Sequence, residues 1–201
     1  MTLIKNKAPR NGSGGLQSEE YWDQVTDDWV TIDDDAPLPA FVPVLVSLDR
    51  WVRDRNNLVP RKGPVGVILG SDQSPDVIAD DIGNLDLIAL EFPLFTDGRP
   101  YSYARLLRER MGFVGELRAI GNILRDQLAY MARCGFDALV LPEKADFNEW
   151  LDAFGEFDIV YQNAARGGAP AWARRNSESV ASIDAKPARK TREQPPQSLA
   201  G

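Results

Sequence analysis

Short apolar runs alternate with segments of helical periodicity over the middle of this chain, and that alternation constrains its fold most. The apolar runs span residues 43–49, 65–69, 85–92, 116–120 and 138–141. Between them, apolar residues recur every three or four positions, as on one face of a helix. Strand and helix in repeated succession are typical of a parallel sheet built with crossover connections. We therefore predict an α/β fold of repeated βα units that form a mostly parallel sheet.

Small polar residues and glycines mark the ends of the predicted helices. Four residues at predicted helix starts carry a side-chain oxygen that can accept a hydrogen bond from an unpaired amide: Ser47, Ser74, Ser102 and Asn122. Gly112 and Gly135 follow two of the helical segments and are expected to end them, because glycine adopts the left-handed conformation without strain. In the same way, Gly98 is expected to permit a positive φ in the loop before Ser102.

The length of 201 residues is typical of one domain. We predict a flexible N-terminal segment over residues 1–18, a single α/β domain over 19–163 and a disordered basic C-terminal tail over 164–201. A full eight-stranded barrel needs roughly 250 residues. Two architectures therefore stay open: an open doubly wound sheet and an incomplete TIM-like barrel. The segment DIVYQ at 158–162 is either a sixth short strand or a docked extension.

Composition excludes several classes of chemistry. The chain has no histidine, which is the residue most often used in acid–base catalysis and the commonest nitrogen ligand of metals. Its single cysteine, Cys134, cannot form an internal disulfide or a cysteine-only metal site. No glycine-rich phosphate-binding motif follows a strand. We therefore predict no metal and no cofactor.

The net charge of −7 is unevenly distributed. Residues 1–18 carry +3 and residues 164–201 carry +4, so residues 19–163 carry −7 − 7 = −14. An acidic body lacks the clustered positive charge that binds nucleic-acid phosphates. No run approaches the roughly 18 apolar residues of a membrane span, and the start of the chain lacks the apolar stretch of a signal peptide. We expect a soluble cytoplasmic protein that binds neither nucleic acid nor membrane.

The loop FTDGRPYS at 95–102 is the clearest candidate for a functional site. It follows the third predicted strand, and sites of parallel α/β folds lie at the carboxyl ends of strands. Glu91 and Asp97 are the candidate acid–base groups of this edge. Arg118 lies within a predicted buried strand and needs a carboxylate partner, for which Glu91 or Asp97 is the natural candidate.

A cluster of polar residues near the same edge is the candidate anion-binding or partner-binding site. Its members are Arg99, Ser102, Arg118, Asn122, Arg125, Asp126 and Gln127. Three guanidinium groups beside a helix N-terminus can hold a small anion. The alternative is an arginine–carboxylate network that fixes adjacent βα units to each other. The sequence leaves both interpretations open.

The block FTDGRPYSYARLLRERMGFVGELRAIGNILRDQLAYMARCGFDALVL at 95–141 closely resembles the bacterial family described as domain of unknown function 934. A looser resemblance extends over residues 40–162. Asp97, Gly98, Arg99 and Ser102 stand in the DGR-x-x-S block of that family. The blocks GELRA-x-G and RDQ hold the residues Glu116, Arg118, Gly121, Arg125, Asp126 and Gln127. Where the family commonly has aspartate after the glycine, this chain has Asn122, which keeps capping ability but not acid–base chemistry.

The resemblance implies a role in assimilatory sulfur reduction. Members of the family are typically encoded beside the sulfite or nitrite reductase haemoprotein and phosphoadenylylsulfate reductase, and they are often labelled oxidoreductase-like. Two functions follow as expectations. The first is an accessory protein that binds the sulfite reductase haemoprotein or a related sulfur-assimilation enzyme and is not catalytic by itself. The second is a histidine-free enzyme or binding protein whose small-anion ligand lies at the carboxyl ends of the strands.

Overall fold

A computed structural model describes residues 2–7 and 21–155 of the chain. Its strands are β1 Thr2–Asn6, β2 Trp22–Val25, β3 Val30–Thr31, β4 Val44–Ser47, β5 Val65–Leu69, β6 Leu87–Phe92, β7 Glu116–Gly121 and β8 Ala138–Leu141. Its α-helices are α1 Leu48–Leu58, α2 Arg99–Arg105, α3 Leu128–Cys134 and α4 Phe147–Gly155. A 3-10 helix spans Pro75–Asn84, a π-helical turn Leu106–Arg110 continues α2, and a 3-10 turn Arg125–Gln127 precedes α3.

All strands of the described chain join one sheet in the order β2-β1-β8-β7-β6-β5-β4-β3. Strands β3 to β8 are parallel and adjacent in chain order, whereas β1 is antiparallel to both β2 and β8. The sheet curls into a half-barrel. This confirms the predicted α/β class and favours the incomplete barrel, because the strand order of a doubly wound sheet reverses at a switch point.

The N-terminal residues differ from the prediction. Thr2–Asn6 were expected in a flexible segment but form β1, in which Ile4 pairs with Leu139 of β8 and is fully buried. The apolar pair Leu3–Ile4 is too short to predict a strand, and β1 forms by pairing with β2 on one side and with the distant β8 on the other. The segments 8–18, 158–162 and 164–201 lie outside the described residues, and the predicted domain boundaries stay a prediction.

The two faces of the sheet have different coverings. On the outer face, alternate strand residues pack with Trp51 of α1, Met131 of α3 and Phe154 of α4 in the main core. The inner face carries a smaller apolar cluster of Leu45, Leu87 and Ala89, with Trp29 and Ile68 among the half-buried residues packed against it. The inner face is therefore partly covered by the segment between β2 and β3. No helix among the described residues is long and apolar enough to cross a membrane.

Several predicted helix ends are confirmed. The Ser47 hydroxyl accepts a hydrogen bond from the Arg50 amide at 3.0 Å and caps α1. The Ser74 hydroxyl accepts from the Asp76 amide at 3.3 Å, although the helix that it caps is a 3-10 helix. Gly135 ends α3 with a φ of +108°.

Three local predictions are wrong in the loops that follow β6 and β7. Helix α2 begins at Arg99, so Ser102 lies inside it and caps nothing. Pro100 explains the early start, because its fixed φ suits the first turn of a helix. Gly98 has a φ of −86°, which residues other than glycine also adopt without strain.

Asn122 likewise caps no helix. The backbone turns at Gly121, with a φ of +92°, and the next helical turn starts only at Arg125. The Gln127 side chain takes over the cap-like role by accepting a hydrogen bond from the Leu124 amide at 3.0 Å.

Candidate functional site

The loop after β6 is fixed by an ion pair between two of its own residues. The Arg99 guanidinium donates to the Asp97 carboxylate from Nε at 3.0 Å and from Nη2 at 2.7 Å. Nη2 also donates to the Ser71 hydroxyl at 2.9 Å, and Ser71 is a buried residue in the loop after β5. The pair therefore connects two neighbouring strand-to-helix loops. This is the kind of contact that an arginine–carboxylate network between adjacent βα units would make.

The same contacts determine the chemistry of Asp97. Its hydrogen bond with the Arg99 side chain, supported by a second with Ser71, lowers the pKa of the Asp97 carboxyl far below its usual range. An efficient general base needs a pKa near the working pH. Asp97 is therefore better suited to hold Arg99 in place than to act as a general acid or base.

Arg118 lies on the inner face of the sheet, and only 2% of its side chain is exposed. Its strand neighbours in register are Ala89 and Ala138, whose small side chains leave room for the guanidinium. Nη1 donates to Asp27 Oδ2 at 2.7 Å and Nη2 to Asp27 Oδ1 at 3.1 Å, so the contact is bidentate. Nε donates to Glu116 Oε1 at 2.8 Å.

The expected partner of Arg118 was therefore wrong. Neither Glu91 nor Asp97 contacts it, because Asp27 reaches across the inner face and Glu116 lies two positions away on the same face. Lys5 of β1 adds a salt bridge to Glu116 at 2.8 Å. The arginine within a strand was a valid signal that a carboxylate must cover it. Its main partner is 91 positions away, and nothing local in the sequence identifies that residue.

The remaining predicted site residues each have a different environment. The Arg125 guanidinium donates from Nε to the Glu149 carbonyl at 2.7 Å and fixes α4 to the turn before α3. The backbone N–H of Asn122 donates to the Phe92 carbonyl at 2.7 Å. Asp126 is exposed, and Ser102 lies on the exposed side of α2.

The three candidate guanidinium groups make contacts in different parts of the fold. Arg99 binds Asp97 and Ser71, Arg118 binds Asp27 and Glu116, and Arg125 binds the backbone of α4. A single anion position shared by the three groups therefore stays a prediction. Glu91 is exposed at the end of β6, in register with Ile120 on the inner face.

A cavity of about 510 Å³ lies on the inner face, near the carboxyl ends of β7 and β8. Its apolar lining comes from Leu45, Ile68, Ile120 and Val140, with Leu3 from β1. Asp27, Thr31, Arg118, Asn122 and Glu143 supply its polar lining. The sequence predicted the edge of the sheet where this cavity opens, and it also predicted Arg118 and Asn122. It missed Leu3 and Asp27, because β1 and the segment after β2 reach the cavity only through long-range pairing.

Large apolar side chains are exposed beside the carboxyl ends of β6 and β7. The exposed fractions are 60% for Leu94, 45% for Phe95 and 37% for Leu124. The Gln127 side chain holds these segments together, because Nε2 donates to the Phe95 carbonyl at 2.8 Å while Oε1 accepts from the Leu124 amide. We call Leu94, Phe95 and Leu124 the apolar rim.

Cys134 belongs to the main core, and Tyr101 is half-buried against the same core. Tyr101 packs edge-on against Phe92, with ring centroids 5.1 Å apart, and lies 5.0 Å from the ring of Tyr130. Burial raises the pKa of the Tyr101 phenol and of the Cys134 thiol, so both groups stay protonated at neutral pH. Within residues 2–7 and 21–155, no group of acidic or cysteine side chains is arranged to hold a metal ion.

Comparison with known proteins gives one match. A family model described as "Bacterial protein of unknown function (DUF934)" matches residues 66–172. The match includes β5 to β8, the loop with Asp97 and Arg99, and the segment that carries Leu124 and Gln127. Neither a curated protein nor a solved structure matches the chain.

Proposed function

Because the chain belongs to the bacterial family of unknown function DUF934, we propose that it acts as an accessory protein of assimilatory sulfate reduction that binds a partner enzyme and is not catalytic by itself. The partner class is the sulfite reductase haemoprotein or a related sulfur-assimilation enzyme. This part of the proposal rests on the resemblance of the block at 95–141 and on the genomic neighbourhood that the resemblance implies.

The apolar rim is the observation that supports a binding function. Leu94, Phe95 and Leu124 expose large side chains at one edge of the sheet, and the hydrogen bonds of Gln127 fix the backbones of Phe95 and Leu124. Exposed apolar side chains that are grouped and held in place are typical of protein interaction sites. Arg99 is exposed nearby and can add a polar contact at the margin of the patch.

The chemistry of the neighbouring groups is consistent with a non-catalytic role. The Asp97 carboxylate and the Arg99 guanidinium are paired with each other, and Arg118 is buried between Asp27 and Glu116. The sequence has no histidine to serve as a general acid or base. The Asp97–Arg99 pair therefore stabilises the loop that presents Leu94 and Phe95.

Copurification from cells grown on sulfate as the sole sulfur source tests the proposal. The tag belongs at the carboxyl end, because Thr2–Asn6 form a strand within the sheet. We expect the wild-type protein to recover subunits of sulfite reductase or a related enzyme. Leu94→Glu combined with Phe95→Glu should reduce recovery at least tenfold, since two charges replace apolar groups that the partner must bury.

Val114→Glu is the matched control. Val114 is 74% exposed but precedes β7, at the opposite edge of the sheet from the apolar rim. Its substitution should leave recovery unchanged. If the rim variant recovers as much partner as the Val114 variant, the contact is elsewhere. If the wild-type protein recovers no sulfur-assimilation enzyme, the proposed partner class is wrong.

A further inference from the structure

The inner-face cavity has the size and character of a small-molecule site. Its volume of about 510 Å³ falls within the roughly 300–1,000 Å³ of typical ligand pockets. Ile68 and Ile120 are half-buried cavity residues that also pack against the inner apolar cluster. The apolar side of the cavity can therefore cover the body of a ligand, and polar groups remain at the strand ends.

The charges around the cavity favour a cation over an anion. Among the described residues that line it, Arg118 is the one cation, whereas Asp27 and Glu143 are acidic, so the lining carries −1. Glu116 and Lys5, which lie next to Arg118, add −1 and +1 and leave that sum unchanged. Arg118 is also occupied, because all three of its guanidinium nitrogens already donate to carboxylates.

Three polar side chains of the lining, all of them exposed to solvent, have hydrogen-bonding capacity left. Within the described residues, the Glu143 carboxylate, the Asn122 side-chain amide and the Thr31 hydroxyl have no hydrogen-bond or ion-pair partner in the protein. An ionised carboxylate can only accept hydrogen bonds, whereas the amide can both donate and accept. A ligand that replaces water at Glu143 has to bring a donor, and a cationic donor makes the stronger contact.

We propose that the cavity binds a small amphipathic amine. The apolar body of the amine lies against Ile68, Ile120 and Val140, and its ammonium group donates to Glu143 and Asn122. Arg118 takes no part in recognition, since its pairing with Asp27 forms one wall of the site. This proposal does not depend on the partner enzyme, and the residues involved are separate from the apolar rim.

Three probes that share a phenyl ring and a three-carbon linker provide the test: 3-phenylpropylamine, 3-phenylpropanol and 4-phenylbutyrate. Their affinities for the full-length chain can be compared by ligand-observed NMR titration, which measures weak binding. We expect the amine to bind about tenfold more tightly than the carboxylate, with the alcohol in between. Equal or tighter binding of the carboxylate overturns the proposal, as does the absence of binding by all three probes.

Substitutions then locate the contact. Glu143→Gln should reduce the preference for the amine to threefold or less, without weakening the alcohol. Glu149→Gln is the control, because Glu149 is an exposed glutamate on α4 that does not line the cavity. A preference that survives Glu143→Gln, or that disappears equally in the control, refutes the assignment of the ammonium position.

Filling the cavity tests the position of the apolar body. Ile120→Trp and, independently, Val140→Phe should abolish binding of the amine and the alcohol alike, because both residues line the cavity. Two variants are used so that a folding defect in one, detected by circular dichroism, leaves the other to decide. Undiminished binding in a folded variant places the ligand outside the cavity.

Discussion

The buried arginine on the inner face allows a quantitative test of how this sheet tolerates charge. Asp27→Asn keeps the shape of the side chain and an oxygen that can accept the hydrogen bond from the Trp29 amide, which Asp27 receives at 3.2 Å. It removes the negative charge that binds two guanidinium nitrogens of Arg118. The substitution therefore removes the ion pair but keeps the hydrogen bond of the local turn.

The expected loss follows from the burial of the two partners. A hydrogen bond to a charged group contributes about 1.5–3 kcal/mol, so two such bonds set an upper range. The Asp27 side chain is 37% exposed, and Glu116 remains bonded to Arg118, so water and the second carboxylate compensate for part of the loss. We expect Asp27→Asn to lower the free energy of unfolding by about 2 kcal/mol.

Arg118→Met should cost less than Asp27→Asn. Methionine removes the buried charge itself, Asp27 regains water, and Glu116 keeps its salt bridge to Lys5. Replacing a buried charge with an apolar residue of similar length is often close to neutral, so a change below about 1 kcal/mol is expected. In the Arg118→Met background, Asp27→Asn should have almost no further effect.

Urea unfolding followed by tryptophan fluorescence measures these differences. With a slope of about 2 kcal/mol per molar urea, Asp27→Asn should lower the midpoint by about 1 M. Asp23→Asn is the control, because its partner Lys7 is exposed and the pair should not change the midpoint. The reasoning fails if Arg118→Met is the more damaging change, or if Asp27→Asn has no more effect than the control.

Three further predictions concern the conformation and ionisation of single residues. Gly135→Ala should lower the free energy of unfolding by about 2–3 kcal/mol and Gly112→Ala by about 1 kcal/mol, as measured by urea unfolding. Both positions need a positive φ, but of the two only Gly135 has a neighbour, the Arg108 side chain, that a new Cβ would meet at 2.7 Å. Equal losses would contradict this reasoning. Cys134, which is buried and has a raised pKa, should resist iodoacetamide at pH 8 in the native protein and react in urea, as measured by intact mass. Burial raises the pKa of Tyr101 above its unfolded value of about 10, so its contribution to stability is complete below pH 10 and falls as the pH rises further. The urea midpoint of the wild type should therefore fall more steeply than that of Tyr101→Phe between pH 9 and pH 11, and parallel curves would refute the assignment.

The parts of the fold that follow from local physics could be predicted from the sequence. Strands β4 to β8 are apolar runs buried by their own pattern, and Ser47 and Ser74 cap helices within three residues of themselves. Gly112 and Gly135 adopt the expected positive φ. Each of these features depends on neighbours in the chain, so periodicity and residue type were sufficient.

The parts that depend on distant residues could not be predicted. Strand β1 is stabilised by β8, and Asp27 covers Arg118 from 91 positions away. The candidate site likewise combines residues near each other in the chain with residues from distant segments. The cavity lies at the carboxyl edge of the strands, where the sequence placed the candidate site, but the wall formed by Leu3 and Asp27 comes from the N-terminal part of the chain. Pairing at that distance leaves no periodic signal in a single sequence.

The place of β1 in the sheet has a consequence for biosynthesis. Leu3 and Ile4 are synthesised more than 130 residues before their partners Val140 and Leu139. Until then these two apolar residues can pair only with β2, and the edge of β8 that β1 covers stays open until β1 joins it. The first strand therefore completes the sheet last, and closure over such a sequence separation is slow compared with the local βα steps. A protein extended at its amino end carries the added segment into that final step, whereas an extension at the carboxyl end does not.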